Sequence, residues 1–300
     1  MGEPAAALAP AWSFACPDWR ERLKAGTSLL PDLPLDRAEG ERVVGIFNKL
    51  RLPDVPGRPA MADAAGDWFR DIVRAAFGSQ QPGSMERRVS EIFALVPKKN
   101  SKTTGGAGIA LTALLENRRP RAELLFVGPT QEIADLAFQQ ASGMIEADPE
   151  GYLQKRFHVQ EHTKTIVDRL TKAKLKVKTF DMKVMTGAKP VFVLLDELHI
   201  MSSFSYASRV LGQIRGGLMA NPESLLVIIT TQSDEAPAGV FRSELQYARG
   251  VRDGRITDSV RMLPILYEFP EEVQTDRTKP WLDPALWPQV LPNLGRSISI

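Results

Sequence analysis

The sequence predicts an α/β fold: a mostly parallel sheet with helices on both faces. Two observations carry this reading. Four short runs, 92–96, 124–127, 191–195 and 225–229, are apolar at every position. The stretches 107–115 and 131–146 read as helices, the second with Ile133, Leu136, Ala137, Ala141 and Ile145 in period. A strand that is apolar on both faces needs cover on both, and helices flanking a parallel sheet supply it.

The elements follow in chain order. Residues 1–61 are interrupted by Pro31, Pro34, Pro53, Pro56 and Pro59 and read as an arm. Within it, 36–50 is a helix on Val43, Val44, Phe47 and Leu50. A second helix over 61–77 places Trp68, Ile72, Val73 and Phe77 on one face. The strand 92–96 stops at Pro97, and a polar loop leads to the helix 107–115. The strand 124–127 stops at Gly128-Pro129 before the helix 131–146. After the strands 191–195 and 225–229, a helix is expected at 240–250 and a last strand at 260–267. The chain thus divides into an arm (1–61), a core (62–252) and a C-terminal segment (253–300), whose Trp281 and Trp287 are expected to pack onto the sheet.

Composition excludes several classes. Of 300 residues, 43% are hydrophobic and 25% charged, which is the ordinary globular mix and rules out disorder for the bulk of the chain. No apolar run approaches the roughly 18 residues of a membrane helix, and the first residues lack the pattern of a signal peptide. Cys16 is the only cysteine, so an internal disulfide or a cysteine metal cage is excluded, and a reducing compartment fits. Net charge is only +2, but 151–190 holds ten Lys or Arg against three Asp or Glu.

The segment Val96-Pro97-Lys98-Lys99-Asn100-Ser101-Lys102-Thr103-Thr104 lies between a buried strand and a helix. A helix N-terminus offers free N–H groups and a positive dipole end to phosphate. Lys102 would add a point charge for β- and γ-phosphates, and Thr103 a hydroxyl for Mg²⁺. The match to G-x-x-x-x-G-K-[ST] is partial, since Val96 and Ser101 stand at its glycines. A solvated basic turn is the plainer alternative; the strand-before, helix-after setting favours phosphate.

The run 191–195 leads directly into Asp196-Glu197. This is the Walker B arrangement, in which the Asp supports Mg²⁺ and the Glu activates the attacking water. Two solvated acids in a turn would read the same in isolation. The acid pair and the loop together, with Asp196 93 positions after Thr103, select a P-loop NTPase. The run 225–229 ends in Thr230-Thr231-Gln232-Ser233, small polar groups suited to sensing the γ-phosphate and coupling hydrolysis to movement. An N-cap for the next helix is the alternative there.

These segments together resemble the large terminase subunit of tailed bacteriophages. The loop at 96–103 is similar to that family's deviant Pro-Arg-Lys-Asn-Gly-Lys-Ser phosphate loop. Leu194-Leu195-Asp196-Glu197-Leu198-His199 resembles its Walker B segment, and Ile229 to Ser233 its coupling motif. Glu244-Leu245-Gln246-Tyr247-Ala248, Trp287 and Pro292-Asn293-Leu294-Gly295-Arg296-Ser297 resemble downstream landmarks. The resemblance implies an ATPase motor that uses ATP and Mg²⁺ to drive double-stranded DNA into a procapsid. Its implied partners are a portal protein and a small terminase subunit, its implied form a homo-oligomeric ring, and its implied location the cytoplasm of the bacterial host.

By residue, the resemblance implies catalytic roles for Glu197, Lys102 and Lys98. It implies nucleotide contacts for Lys99, Asn100, Ser101, Lys102, Thr103, Thr104 and Trp68, Mg²⁺ support from Thr103 and Asp196, and coupling through Thr230, Thr231 and Gln232. The chain departs from the family at three places. Ser101 replaces a loop Gly, Lys98 an Arg that would stabilise γ-phosphate charge, and Phe69 the Gln of an upstream Trp-Gln pair associated with adenine. The family's nuclease domain would begin near Ile300, so nuclease activity is expected to be absent.

Further residues carry paired readings. Lys172, Lys174, Lys176 and Lys178 have period two, so a strand would align them as a DNA-backbone track or as the protected edge of a sheet. His158 and His162 have the i,i+4 spacing of a helical metal pair but read as surface residues, and His199 reads as support for the acidic pair. Arg209 and Arg215 are candidates for an arginine finger on a neighbouring subunit, with ordinary surface or salt-bridge roles as the alternative. Two rival functions remain: a helicase-like ATPase without a capsid, and a non-catalytic prophage remnant that binds DNA or a partner.

Overall fold

A computed structural model describes residues 12–81, 83–184 and 188–298. Among these residues eight strands form one sheet: β1 (Glu91–Leu95), β2 (Glu123–Gly128), β3 (Phe157–Gln160), β4 (Thr165–Asp168), β5 (Lys174–Thr179), β6 (Phe192–Asp196), β7 (Leu225–Thr230) and β8 (Met262–Leu266). Their order is β3-β4-β5-β2-β6-β7-β1-β8. All pairs from β5 to β8 are parallel, while β3 and β4 add an antiparallel edge.

The helices are α1 (Trp19–Ala25), α2 (Arg37–Lys49), α3 (Met61–Ala64), α4 (Asp67–Gly78), α5 (Lys102–Glu116), α6 (Gln131–Glu146), α7 (Tyr152–Arg156), α8 (Leu198–Met201), α9 (Ala207–Leu218), α10 (Gly239–Arg252) and α11 (Glu271–Gln274). Among them none is long and apolar enough to cross a membrane.

Period two decides which face each strand residue covers. Ile92, Ala94, Leu124, Phe126, Leu194, Val227 and Ile229 join Phe47 of α2, Phe69 of α4, Ile109 of α5 and Phe138 of α6 in one core. Their neighbours Phe93, Leu95, Leu125, Val127, Val193, Leu195, Leu226 and Ile228 join Ile214 of α9 and Phe241 of α10 in the other. Burial of both faces explains why these strands read as unbroken apolar runs. Each Val, Leu, Ile or Phe among them contributes about 1.5–3 kcal/mol on leaving water.

The structure departs from the sequence reading at several points. The helix expected over 61–77 breaks into α3 and α4 at Ala65 and Gly66, whose backbones are extended. The Arg70 guanidinium donates to the carbonyls of Met61, Ala62 and Ala65, satisfying the groups the break exposes. Helix α5 begins at Lys102, five residues before the apolar periodicity does. Its first turns carry Gly105 and Gly106, and a Cβ on Gly105 would lie 2.0 Å from the Phe69 ring. Close approach, rather than apolar patterning, sets that stretch.

Strand β5 is no edge: it lies between β4 and β2. Lys172 precedes it in a turn with φ 62°. Lys176 pairs with Glu123, and Lys178 donates to the Val184 carbonyl, so the four lysines form no single exposed row. His158 lies on β3 and His162 in a 3-10 turn, so the two share no helix. Arg215 is held by Glu91 and Glu244, with Glu91 at the start of β1, the end opposite the loop at 97–104. Those two carboxylates engage its guanidinium fork and give it a structural role instead of a finger's. Arg209 is exposed on α9. Strand β8 belongs to the segment 253–300, so that segment completes the sheet beside β1.

Candidate active site

The C-terminal ends of β1, β6 and β7 converge, as neighbours in register must. In an open parallel sheet this end forms the ligand crevice. From β1 the chain enters a loop with two non-glycine residues in the left-handed region, Lys99 (φ 71°) and Ser101 (φ 54°). Asn100 between them is fully buried. Its Nδ2 donates to the carbonyls of Pro97 (3.0 Å) and Lys98 (3.3 Å). Its side chain thus shapes the loop from behind and is committed to the protein.

Lys102 opens α5 and is nearly buried. Its Nζ donates to the Pro97 carbonyl (3.2 Å) and lies 3.5 Å from Glu197 Oε1. The Thr103 hydroxyl donates to Asp196 Oδ2 at 2.6 Å. Thr104 and Ser101 line a cavity of about 430 Å³ with Phe69, Asp63 and Arg296. Lys99 is exposed.

Asp196 is fully buried, and among the described residues its Oδ1 has no hydrogen-bond partner. Burial, with the Glu197 charge beside it, pushes its carboxyl up to about 7. Glu197 itself is in the left-handed region (φ 60°), a strained position of the kind that collects at functional sites. Burial raises its carboxyl, but His199 and Lys102 outweigh that and hold it below the ordinary carboxylate value. His199 Nδ1 lies 3.2 Å from both Glu197 Oε2 and Thr230 Oγ1. Thr230 Oγ1 also accepts from the His199 backbone N–H (3.1 Å). Thr231 donates to the Val96 carbonyl at 2.8 Å. The end of β7 is therefore tied to the acid pair on one side and to the end of β1 on the other.

The donor chemistry fits Mg²⁺. A hard divalent ion takes oxygen ligands, and here an orphaned buried carboxylate oxygen sits beside a threonine hydroxyl. Two expected residues are placed differently. Trp68 is buried, with its indole N–H donating to Asn293 Oδ1, so it lies behind the loop. Lys98 is exposed, with its ammonium 2.9 Å from Asp234 in the turn after β7. Lys98, Gln232 and Asp234 rim a second cavity of about 670 Å³ lined by Tyr267, Phe269, Trp281 and Trp287. Sequence reading missed Asp234 and Asn293. Asp234 carries no motif signal, and Asn293 was visible only as part of a landmark.

The sequence profile described as "Terminase large subunit, ATPase domain" matches residues 67–250, more than half of the chain. The chain belongs to the terminase large-subunit ATPase family. The large terminase of bacteriophage HK97 has the same fold, with a TM-score of 0.66 at 20% identity over 87% of this chain. The match covers 49% of the HK97 chain, so the present chain spans about half of that protein's length. The large-terminase ATPase domain of Thermus phage P74-26 is more distant, with a TM-score of 0.45 at 15% identity over 72% of this chain and 90% of that one. A search of curated protein sequences returns no match. The terminase profile spans the loop at 97–104, the acid pair and β7.

Proposed function

We propose that this chain hydrolyses Mg-ATP as the ATPase of a viral DNA-packaging motor, coupling hydrolysis to movement of double-stranded DNA into a procapsid. One observation carries the reading: the 2.6 Å contact that joins Thr103 of the loop to Asp196 of the strand end. Family membership supplies the DNA-packaging context.

In this reading the loop N–H groups and Lys102 hold the β- and γ-phosphates. Phosphoryl transfer needs mostly positioning and charge stabilisation, which these groups supply. Thr103 and Asp196 would hold Mg²⁺, which neutralises phosphate charge when bound. Glu197 orients and deprotonates the attacking water, and its charged form is the one the site favours. His199 steadies that carboxylate and links it to Thr230. Thr230, Thr231 and Gln232 transmit the state of the site along β7. Lys98 serves the γ-phosphate side once it leaves Asp234. The proposed partners are double-stranded DNA, a portal protein, a small terminase subunit and further copies of the chain in a ring.

The test is steady-state ATP hydrolysis with Mg²⁺, with and without duplex DNA and portal, for the wild type and Glu197→Ala. Hydrolysis that Glu197→Ala abolishes while nucleotide still binds supports the ATPase. Stimulation by portal and DNA supports the motor. A folded chain that neither binds nor hydrolyses ATP overturns the proposal and leaves a non-catalytic remnant.

A further inference from the structure

The C-terminal segment reaches back to the phosphate loop through Asn293 and Ser297. Asn293 is fully buried, and 193 positions separate it from Asn100. Its backbone N–H donates to Asn100 Oδ1 (2.9 Å), and its Nδ2 donates to the Asn100 carbonyl (3.2 Å) and to Ser297 Oγ (3.1 Å). Its Oδ1 accepts the Trp68 indole N–H at 2.9 Å. Ser297 Oγ in turn donates to the Lys99 carbonyl (3.1 Å). Every polar atom of the Asn293 amide is engaged.

Gly66 is shaped around this contact. A Cβ there would lie 2.0 Å from Asn293 Oδ1. The break between α3 and α4 therefore brings Trp68 and Asn293 together, and the absence of a side chain at 66 makes the room.

The consequence for the loop follows from peptide geometry. In a planar trans peptide the C=O and the next N–H point in opposite directions. Asn293 and Ser297 pull the carbonyls of Asn100 and Lys99 towards themselves. That turns the N–H groups of Ser101 and Asn100 the other way, and successive N–H groups turned one way make an anion-binding concavity. The same two peptides flank the left-handed residues Lys99 and Ser101, a strained arrangement that persists only when its surroundings hold it. The side chain of Asn100 braces the loop locally, but among the described residues Asn293 and Ser297 are the side chains that hold these two carbonyls.

We propose that Asn293 is a positioning residue for phosphate binding, with Trp68 and Ser297 as its supports. Through it the segment after β8 presets the loop for the β- and γ-phosphates of a nucleoside triphosphate. This rests on the reading that 97–104 is a phosphate loop.

The experiment is competition binding of ATP, ADP and AMP to the whole chain, as wild type, Asn293→Ala, Trp68→Phe and the double variant, with melting followed by circular dichroism. AMP lacks the phosphates that the loop would cradle, so a general loss of fold weakens all three nucleotides, whereas a lost preset weakens only ATP and ADP. Asn293→Ala is expected to weaken ATP and ADP about tenfold, the equivalent of one to two hydrogen bonds, and AMP by less than about twofold. Trp68→Phe keeps the ring packing and is expected to give a smaller loss with the same selectivity. The double variant is expected to be no weaker than Asn293→Ala, since the two residues act in one chain of contacts.

Unchanged ATP and ADP affinity in Asn293→Ala, or an equal loss for AMP, overturns the proposal. Should Asn293→Ala fail to fold, Trp68→Phe decides: an unchanged ratio of ADP to AMP affinity overturns it, and a selective loss of ADP supports it. A wild type that binds none of the three nucleotides overturns the phosphate-loop reading itself, and this proposal falls with it.

Discussion

Thr103 and Asp196 lie 93 positions apart in sequence, and their side chains meet at 2.6 Å. That contact closes the crevice between β1 and β6, strands that are not even neighbours in the sheet. Thr103→Val keeps the shape and removes the hydroxyl. It removes the hydrogen bond to Asp196 Oδ2 in a buried site, so the metal-free protein is expected to lose about 1–3 kcal/mol. Mg²⁺-dependent ATP hydrolysis is expected to fall by about 10²-fold or more, as when one preorganised charge-stabilising group is lost. Thermal melting with steady-state hydrolysis checks both, and wild-type activity in Thr103→Val would remove Thr103 from the metal site.

Glu197 stands beside the loop, poised between Lys102 and His199. Glu197→Gln retains the size and loses the base. Hydrolysis is expected to fall about 10²–10⁴-fold, while ATP binding is retained or tightened. Equal loss of binding and turnover in a fluorescent-nucleotide titration would assign Glu197 to ground-state binding instead.

Ser101 occupies a left-handed turn with φ 54°. An L-residue there costs about 1–2 kcal/mol that glycine avoids. Ser101→Gly is accordingly expected to raise stability to chemical denaturation by about 1 kcal/mol, offset in part by the greater freedom of glycine in the unfolded chain. No gain, or a loss, in the urea midpoint would mean that the Ser101 side chain contributes more than its backbone costs.

Glycine positions with different surroundings should respond in opposite directions. Gly105→Ala forces a methyl against the Phe69 ring, where a Cβ would stand 2.0 Å away, and is expected to cost about 1–3 kcal/mol. Gly45 lies inside α2, and among the described residues nothing stands within 4 Å of where a Cβ would be. Gly45→Ala is expected to stabilise by about 0.5–1 kcal/mol through helix propensity. Parallel urea melts of the two variants test the packing of α4 under α5, and equal shifts would contradict it.

Cys16 is buried beside Asp18 and Arg252. Burial is the largest cause that pushes its thiol from 9.0 up to about 11. Because the native state disfavours the thiolate, the contribution to stability is complete below pH 9 and is lost as the pH rises from 9 towards 11. A disulfide reagent at pH 8 is expected to leave the native chain almost unlabelled and to titrate one thiol after unfolding in guanidinium. Native labelling at the unfolded rate would show that α1 does not cover Cys16.

Much of the architecture was legible in the chain itself. Unbroken apolar runs require cover on both faces, and the structure splits β1, β2, β6 and β7 residue by residue between two cores. Lys102, Thr103, Asp196 and Glu197 were legible because strand-end acids and helix-start hydroxyls have local signatures. Their meeting in one crevice follows from the parallel order of β1, β7 and β6. The break at Gly66 and the early start of α5 were not legible, because close packing against Asn293 and Phe69 leaves no periodicity to read.

The sequence by itself determined the class of the fold, the two polar strand ends and the family they belong to, since each is written in residues that are neighbours along the chain. Tertiary structure alone decided what those residues touch. It made β5 an interior strand, committed Arg215 to Glu91 and Glu244, withdrew Trp68 behind the loop and joined Asn100 to Asn293. Such contacts depend on which distant segments share a space, and a buried amide or guanidinium finds its partners by geometry rather than by spacing in the chain.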